Sequence, residues 1–303
     1  CTPMSASPFL RGRPGGGISM SEDLTAFLSA NPHAIVCELT EVRGSSPRER
    51  GTFMLVGMGA IFGTIGGGAL EYMVIDHARR LLVEGRAEEA MDVPLGPEIG
   101  QCCGGRVEVC LRYADTSLRR DLVMRIAQEE ASAAQVYIFG AGHVGRVLAQ
   151  ILALLPVRIE VIDTRQAELD MLAPGIAHRR VAMPEAVVRA APAGSAFVIM
   201  THDHALDFLI AGEALARRDA AYVGMVGSKT KRGKCSSWDL QQGGDEDTLE
   251  RLILRIGAQG LGDKRPSVIA ALAAAEIIVQ IGGREASVGR KPTPAMEGVG
   301  SGR

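Results

Sequence analysis

The sequence lacks the features that mark several large classes of protein. Its 33 Lys and Arg residues nearly balance 35 Asp and Glu residues, so the net charge is −2, without the basic excess typical of nucleic-acid binding. There is no polybasic segment, and the most apolar stretch, residues 268–281, contains Glu276 and Gln280. That stretch is shorter than the ~20 residues of a membrane span. We therefore expect neither a nucleic-acid nor a membrane partner, and we interpret the stretch as a buried helix.

The sequence also lacks the cysteine spacing of a disulfide framework, and a chain of 303 residues does not need one. It has no apolar segment near residue 1 of the kind found in secretory signals. We therefore expect a cytoplasmic protein whose cysteines either fill cores or act as reactive thiols. Cys37 and Cys110, which lie in apolar strand-like segments, are interpreted as core residues.

Chain length and composition favour two domains between two irregular ends. We expect a disordered leader over residues 1–19, with Met20 as the natural start and Ser21 capping the first helix. An N-terminal domain over 20–133 follows. A second domain covers 134–282, and 283–303 form a flexible tail.

The two predicted domains differ in their pattern of elements. In the first, strands at 34–42, 52–56 and 106–113 accompany helices at 69–84 and 116–130, which indicates a small α+β domain. In the second, strands alternate with helices. The predicted strands are 135–139, 157–163, 179–183, 195–201 and 221–226. The overall prediction is an α/β protein whose C-terminal domain is a Rossmann-like parallel sheet with helices on both faces.

A Gly-x-Gly-x-x-Gly sequence follows the first strand of the second domain. Gly140 permits a tight turn, Gly142 lets a phosphate approach the backbone, and Gly145 lets helix and strand pack closely. Asp163 ends the next strand, where it could accept a hydrogen bond from a ribose hydroxyl or a comparable donor. The pattern indicates a phosphate-containing ligand, with His143 among its contacts. The alternative is that the glycines only shape a tight turn.

Two further loops follow later strands, at the sheet edge where α/β proteins bind ligands. The first contains residues suited to proton transfer or metal binding. These residues are His202, Asp203, His204 and Asp207. The alternative is that Asp203 or Asp207 caps the following helix. The second loop suits an anion. Its residues are Gly227, Ser228, Lys229, Lys231 and Arg232. The alternative there is a solvated basic helix start.

Two adjacent cysteines, Cys102 and Cys103, lie between glycines in a loop of the first domain. Thiolates are soft ligands and nucleophiles, so the pair could bind a soft metal or carry sulfur. A strained vicinal disulfide or a tight turn of small residues are the alternatives. A second candidate oxyanion site is formed by one loop and by the glycines before the first long helix. Its residues are Arg43, Ser45, Ser46, Arg48, Gly66, Gly67 and Gly68. By themselves these residues would form only a flexible turn.

Several of these motifs together resemble the xanthine dehydrogenase accessory (XdhC/CoxI) family. In the first domain the resemblance rests on T-E-V-R-G-S-S-P-R from Thr40, G-T-I-G-G-G-A-L-E from Gly63 and G-Q-C-C-G-G from Gly100. In the second it rests on V-Y-I-F-G-A-G-H-V-G, T-H-D-H-A-L-D and Y-V-G-M-V-G-S-K-T-K-R. The similarity covers roughly residues 22–282.

The resemblance implies an accessory protein, or chaperone, for molybdenum hydroxylases of purine metabolism. Such a protein binds and protects a molybdopterin-type molybdenum cofactor. It assists its sulfuration with sulfur from a cysteine desulfurase, and it delivers the cofactor to the molybdenum-binding subunit of apo-xanthine dehydrogenase. Under this interpretation Cys102 and Cys103 face the molybdenum. His202 and His204 are polar or catalytic contacts, and the loops of both domains line one groove. A homodimer is expected by family analogy.

Two other functions remain open from the residues alone. One is an NAD(P)-dependent oxidoreductase that uses the glycine-rich loop and Asp163, with His202 or His204 as acid or base. The other is a regulatory module that senses NAD, ATP or another nucleotide without chemistry. The unexplained cysteine pair and the missing dehydrogenase-like substrate residues argue against the oxidoreductase.

Overall fold

The computed structural model describes residues 19–46, 48–97, 104–227, 231, 233, 249–257 and 263–289, the last six of these by their backbone only. The chain separates into two compact units, with the division between Ala131 and Ser132. Each unit has its own sheet and its own hydrophobic core.

The first unit is built on a five-stranded sheet of order β3-β2-β1-β5-β4 in which every pairing is antiparallel. Its elements run in chain order: α1 Met20–Ala30, β1 Ala34–Arg43, β2 Phe53–Gly57, β3 Ile61–Gly63, α2 Gly68–Glu84, β4 Glu88–Pro94, β5 Arg106–Tyr113 and α3 Thr116–Ser132. Helix α1 begins with Ser19, not Ser21, as its cap. The Ser19 hydroxyl accepts from the Glu22 amide, while the Glu22 carboxylate accepts from the Ser19 amide, which forms a capping box.

Alternating side chains of β1 are buried in two different cores, one on each face of the sheet. Ile35 and Cys37 point to one face, where α2 covers the sheet with Leu70 and Val74. Val36 points to the other face, which is covered by α1 and α3. This arrangement confirms the smaller α+β unit that the sequence predicts.

The pairing of β1 with β5 shifts register between Leu39 and Glu41, which is a β-bulge. A bulge reverses the in-out alternation, and Glu41 and Arg43 lie half-buried or exposed beyond it. Their neighbours across the sheet, Glu108 and Arg106, are polar as well. This part of the sheet therefore carries a charged outer face instead of a second apolar one.

The second unit is a six-stranded sheet of order β8-β7-β6-β9-β10-β11 in which every pairing is parallel. Its elements are β6 Gln135–Phe139, α4 His143–Leu152, β7 Arg158–Asp163, α5 Gln166–Leu169, β8 His178–Arg180, α6 Pro184–Ala190, β9 Ala196–Ile199, α7 His204–Ala216, β10 Tyr222–Met225, β11 Ile253–Leu254 and α8 Pro266–Gly289. Counted within the unit, the strand order is 3-2-1-4-5-6, which is that of the Rossmann fold.

Helices cover both faces of this sheet, as the sequence predicts. On one face, α4 and α8 pack on Val136 and Ile138, and Leu148 and Ile277 are fully buried there. On the other face, residues of α6 and α7 pack on Phe139 and on neighbouring strand residues. The order of the strands reverses between β6 and β9, so the ligand crevice expected of this fold opens beyond the carboxyl ends of those two strands.

Helix α8 extends past the domain boundary at residue 282 that the sequence suggested, because its backbone remains helical to Gly289. Its segment Pro266–Gly283 has a mean hydropathy of 1.6 and is, by length and composition only, apolar enough to cross a membrane. The face that carries Ala270, Ala273 and Ile277 is fully buried in the core of the second unit. One face of the helix therefore packs in the core, while 28 % of the whole segment is buried.

Candidate functional site

The glycine-rich loop lies between β6 and α4, beside the point where the strand order reverses. Gly140 has φ +115°, and a Cβ there would lie 2.3 Å from the Met200 carbonyl oxygen. A Cβ on Gly145 would lie 2.0 Å from the Gly140 oxygen. Both residues must therefore be glycine for the loop to pack between β6, β9 and α4.

Gly142 has a different environment. Its φ of −69° is open to any residue, and a Cβ built on it meets no atom within 4 Å. Nothing in the described fold requires a glycine there. It begins α4 as the N-cap without a side-chain cap, so open space adjoins the positive end of a helix. This is the geometry that close approach by a phosphate would use.

Charged side chains hold both backbone polar groups of Ala141, the residue between the first two glycines. Its amide donates to Asp163 Oδ2 at 2.8 Å, and its carbonyl accepts from Arg146 Nη1 at 2.8 Å. Arg146 also pairs with Glu168 at 2.8 Å, and Glu168 lies 3.5 Å from Arg165 Nη1. The loop is therefore fixed by a ring of ion pairs at the end of β7.

Asp163 closes this ring. Its side chain is 3 % exposed, and it accepts from the backbone amide, Nε and Nη2 of Arg165 at 3.0–3.1 Å. Burial alone would raise the pKa of Asp163, but hydrogen bonds from Arg165 and Ala141 outweigh it and lower that pKa. Sequence reasoning missed the roles of Arg146 and Glu168, although both lie close in sequence to the motif residues that they hold.

The loop after β9 is organised by its own side chains. Asp203 is the N-cap of α7 and accepts from the Ala205 amide at 2.8 Å, which is the structural alternative that the sequence offered for it. The Thr201 hydroxyl donates to the Asp203 carbonyl oxygen at 2.9 Å. His202 and His204 are exposed on this loop, and His143 is exposed on the glycine-rich loop. All three imidazoles are accessible.

Asp207, by contrast, is fully buried. Its Oδ1 accepts from the Thr201 amide at 2.9 Å, and its Oδ2 pairs with Lys231 Nζ. The same ammonium donates to the Val226 carbonyl oxygen at 2.8 Å. Asp207 therefore joins the loop after β9 to the loop after β10. Gly227 lies in the second of these loops, and a Cβ on it would meet Lys231 Cδ at 2.9 Å.

No group of three or more His, Cys, Asp or Glu side chains suited to hold a metal ion occurs within the part of the chain that the structure describes. Five predicted site residues, Cys102, Cys103, Ser228, Lys229 and Arg232, lie outside the described residues, as do residues 1–18 of the predicted leader and 290–303 of the tail. Their predicted roles stay predictions.

In the first unit, Arg43 pairs with Glu41 at 2.7 Å and its side chain is 68 % exposed. The two residues line a small surface pocket with Asp92 and Arg106. The pocket measures about 70 Å³, whereas pockets for drug-sized ligands measure about 300–1,000 Å³. This pocket therefore has no room for a whole cofactor.

The turn after Arg43 packs closely on the far end of the β4–β5 connection. A Cβ on Gly105 would lie 2.0 Å from the Ser45 carbonyl oxygen and 2.9 Å from that of Arg43. Ser45 is exposed and Ser46 is half-buried. The predicted oxyanion turn and the end of the loop that contains the cysteine pair are thus adjacent within this unit.

The other part of the predicted oxyanion site, before α2, is filled by the chain itself. Glu71 Oε1 accepts from the amides of Ile65, Gly66 and Gly67 at 3.0, 3.3 and 2.9 Å, and from the Thr64 hydroxyl. The amides converge on an anion, but that anion is a side chain of the same chain, four residues after Gly67. The sequence pattern alone does not identify Glu71 as this partner.

Two cysteines lie within the described first unit. Cys37 is buried in the core, and burial raises the pKa of its thiol. The interpretation of Cys110 as a core residue was wrong: it is half-buried on the charged outer face, where its Sγ lies 3.4 Å from Glu88 Oε1. Burial, and then the contact with Glu88, raise the pKa of Cys110.

Comparisons with known proteins agree with this architecture. A chain described as a xanthine dehydrogenase from Bacillus halodurans superposes with a TM-score of 0.73 at 19 % identity, over 91 % of this chain and 98 % of that one. At that identity the likeness shows the fold alone. The uncharacterized protein YqeB of Escherichia coli K12 is 27 % identical over 255 residues, or 80 % of this chain. The chain spans 42 % of the length of that relative.

Two family models match separate parts of the chain. Residues 27–93 match the XdhC and CoxI family, and residues 136–277 match the XdhC Rossmann domain. The second match covers the parallel sheet from β6 to β11 and the first half of α8. The two matches fall in the two units in the order in which the sequence motifs occur. The chain therefore belongs to the XdhC and CoxI family.

Proposed function

We propose that this chain is an accessory protein of xanthine dehydrogenase or a related molybdenum hydroxylase, which binds the molybdopterin-type cofactor, assists its sulfuration and delivers it to the apo-enzyme. Family membership suggests the accessory role in general. Cofactor binding and sulfuration are the finer parts of the proposal. With them we infer a cysteine desulfurase as sulfur donor, a cytoplasmic location and a homodimer.

The observation that carries the proposal is the open space at Gly142. The glycine is not required by its φ or by any neighbouring atom, while Gly140 and Gly145 are required by the packing of the fold. A phosphate of the cofactor fits this place, because it could approach the backbone at the start of α4, a helix of ten residues. The exposed His143, His202 and His204 would supply polar contacts nearby in the same unit.

The first test is a pair of glycine variants. Gly142→Val fills the space that the phosphate would use. Gly59→Val is the matched control, because Gly59 also has no atom within 4 Å of a built Cβ and no positive φ. After anaerobic purification, molybdenum per chain and the fluorescence of the oxidised pterin are measured.

We expect Gly142→Val to retain at least about tenfold less cofactor than wild type at an unchanged melting temperature, and Gly59→Val to retain the wild-type amount. If Gly142→Val retains cofactor normally, the phosphate lies elsewhere. If wild-type chain takes up no pterin from a cofactor-saturated donor, the binding proposal is wrong.

The cysteine pair needs its own test. The double variant Cys102→Ala, Cys103→Ala should still bind cofactor through the second unit but should fail to support activation of apo-xanthine dehydrogenase by a cysteine desulfurase. The thiols are proposed to face the soft molybdenum centre. Unchanged activation by the double variant would remove both cysteines from the function.

A further inference from the structure

The end of β7 is the place where Rossmann proteins distinguish their ligands. In NAD-binding members, an acidic residue near the end of the second strand of the unit accepts hydrogen bonds from the adenosine ribose. Here that strand is β7 and the residue is Asp163. Its position alone predicts a ribose acceptor.

The contacts of Asp163 change this expectation. An ionised carboxylate has about four acceptor positions, and Asp163 receives four donors: the Ala141 amide and the backbone amide, Nε and Nη2 of Arg165. Only 3 % of its side chain is exposed. A ribose diol that enters here therefore finds no free acceptor on Asp163.

The blocking side chain is itself held in place. Arg165 Nη1 lies 3.5 Å from Glu168, which also receives a hydrogen bond from Arg146 at 2.8 Å. About a third of the Arg165 side chain is exposed. A guanidinium has only donors and no acceptor, so the exposed group at this edge offers hydrogen bonds where an NAD site accepts them.

We propose that Arg165 is the specificity-determining residue of the crevice: by occupying Asp163 it excludes ligands that place a free ribose diol at the end of β7, such as NAD(H), and it selects ligands that present hydrogen-bond acceptors there. The inference rests on the crevice of the proposed function and specifies its ligand class. It also separates this chain from nicotinamide-dependent dehydrogenases of the same fold.

The test is a titration of the full-length chain with NADH, followed by nicotinamide fluorescence. Wild type is expected to bind NADH weakly. Arg165→Ala removes the Nε and Nη2 donors but keeps the backbone amide, which leaves one acceptor position free on each oxygen. Because hydrogen bonds to a charged group are among the stronger ones, we expect at least about a tenfold gain in NADH affinity.

Three controls make the gain specific. Arg179→Ala removes a neighbouring ion pair, in which Arg179 on β8 lies 3.0 Å from Glu160 on β7. This variant should bind NADH with the same affinity as wild type. The double variant Asp163→Ala, Arg165→Ala should lose the gain, because the acceptor is gone. NADPH carries a phosphate in place of one ribose hydroxyl, so its affinity should not rise in Arg165→Ala.

NADH binding by wild type as tight as by Arg165→Ala would overturn the inference. So would a single variant that gains nothing, or an equal gain for NADPH. Tight binding of NADH by wild type would overturn the inference by itself, whether or not a variant folds. Because NADH is measured without any molybdenum cofactor, a failure here is distinguishable from a failure of cofactor binding.

Discussion

Substituting Lys231 by Met should strongly destabilise the second unit. The ammonium of Lys231 pairs with Asp207 and donates to the Val226 carbonyl oxygen, and the two side chains are 9 % and 0 % exposed. Methionine keeps much of the apolar stem but leaves the Asp207 carboxylate buried without its cation. Removing one partner of a buried ion pair costs about 3–5 kcal/mol, so we expect a loss of that order in the free energy of unfolding.

The measurement is urea unfolding followed by far-UV circular dichroism, with Lys264→Met as control because Lys264 is exposed. That control should stay within about 0.5 kcal/mol of wild type. The double variant Asp207→Asn, Lys231→Met removes the stranded charge and should recover at least about 1 kcal/mol relative to Lys231→Met. A loss below about 1 kcal/mol in Lys231→Met, or no recovery in the double variant, would show that the pair does not hold the two loops together.

Three other predictions follow from single contacts. Gly145→Ala should lower the free energy of unfolding by at least about 2 kcal/mol, since its Cβ would lie 2.0 Å from a backbone oxygen; an unchanged melting temperature would contradict this. The pKa of Asp163 is lowered in the folded chain. The ionised carboxylate therefore stabilises the folded state above about pH 4, and this stabilisation is lost as the pH falls through the folded pKa. Between neutral and acidic pH, the melting temperature of Asp163→Asn should therefore fall less than that of wild type. Arg119 donates to four backbone carbonyls at 2.6–3.1 Å. Arg119→Ala should therefore lower the free energy of unfolding by about 2–4 kcal/mol, whereas Arg120→Ala, at an exposed neighbour, should leave it almost unchanged. Equal urea midpoints for the two variants would refute this prediction.

The sequence was sufficient for the main elements of both units because their strands and helices carry clear apolar periodicity. It was not sufficient for β4, whose sequence is Glu-Glu-Ala-Met-Asp-Val-Pro. This strand lies at the edge of the sheet and carries three acidic residues. Such a strand buries only one row of side chains and gives little alternation. The short strands β3 and β11, of three and two residues, are defined by their partners and not by their own composition.

The candidate site also has one part that the sequence predicts and one part that it does not. The separate tasks of Gly140 and Gly145 follow from a local motif, and the structure agrees with them. The occupation of Asp163 by Arg165 could not be predicted from the sequence. It depends on the side-chain conformation of Arg165, which could as well extend into solvent as fold back onto Asp163. Likewise, the pairing of Asp207 with Lys231 joins residues far apart in sequence that only the parallel arrangement of β9 and β10 brings together.

The two glycine-rich loops, which look alike in sequence, are not equivalent anion sites. Before α2, the amides of Gly66 and Gly67 already donate to Glu71, so an external anion would have to displace a carboxylate of the same chain. Before α4, Asp163 binds the Ala141 amide but leaves open space at Gly142. Because an anion binds most favourably where amides are not already neutralised, a phosphate should be held by the second unit. The contribution of the first unit to the proposed function would then have to come from other groups, and the cysteine pair next to Gly104 is its best candidate.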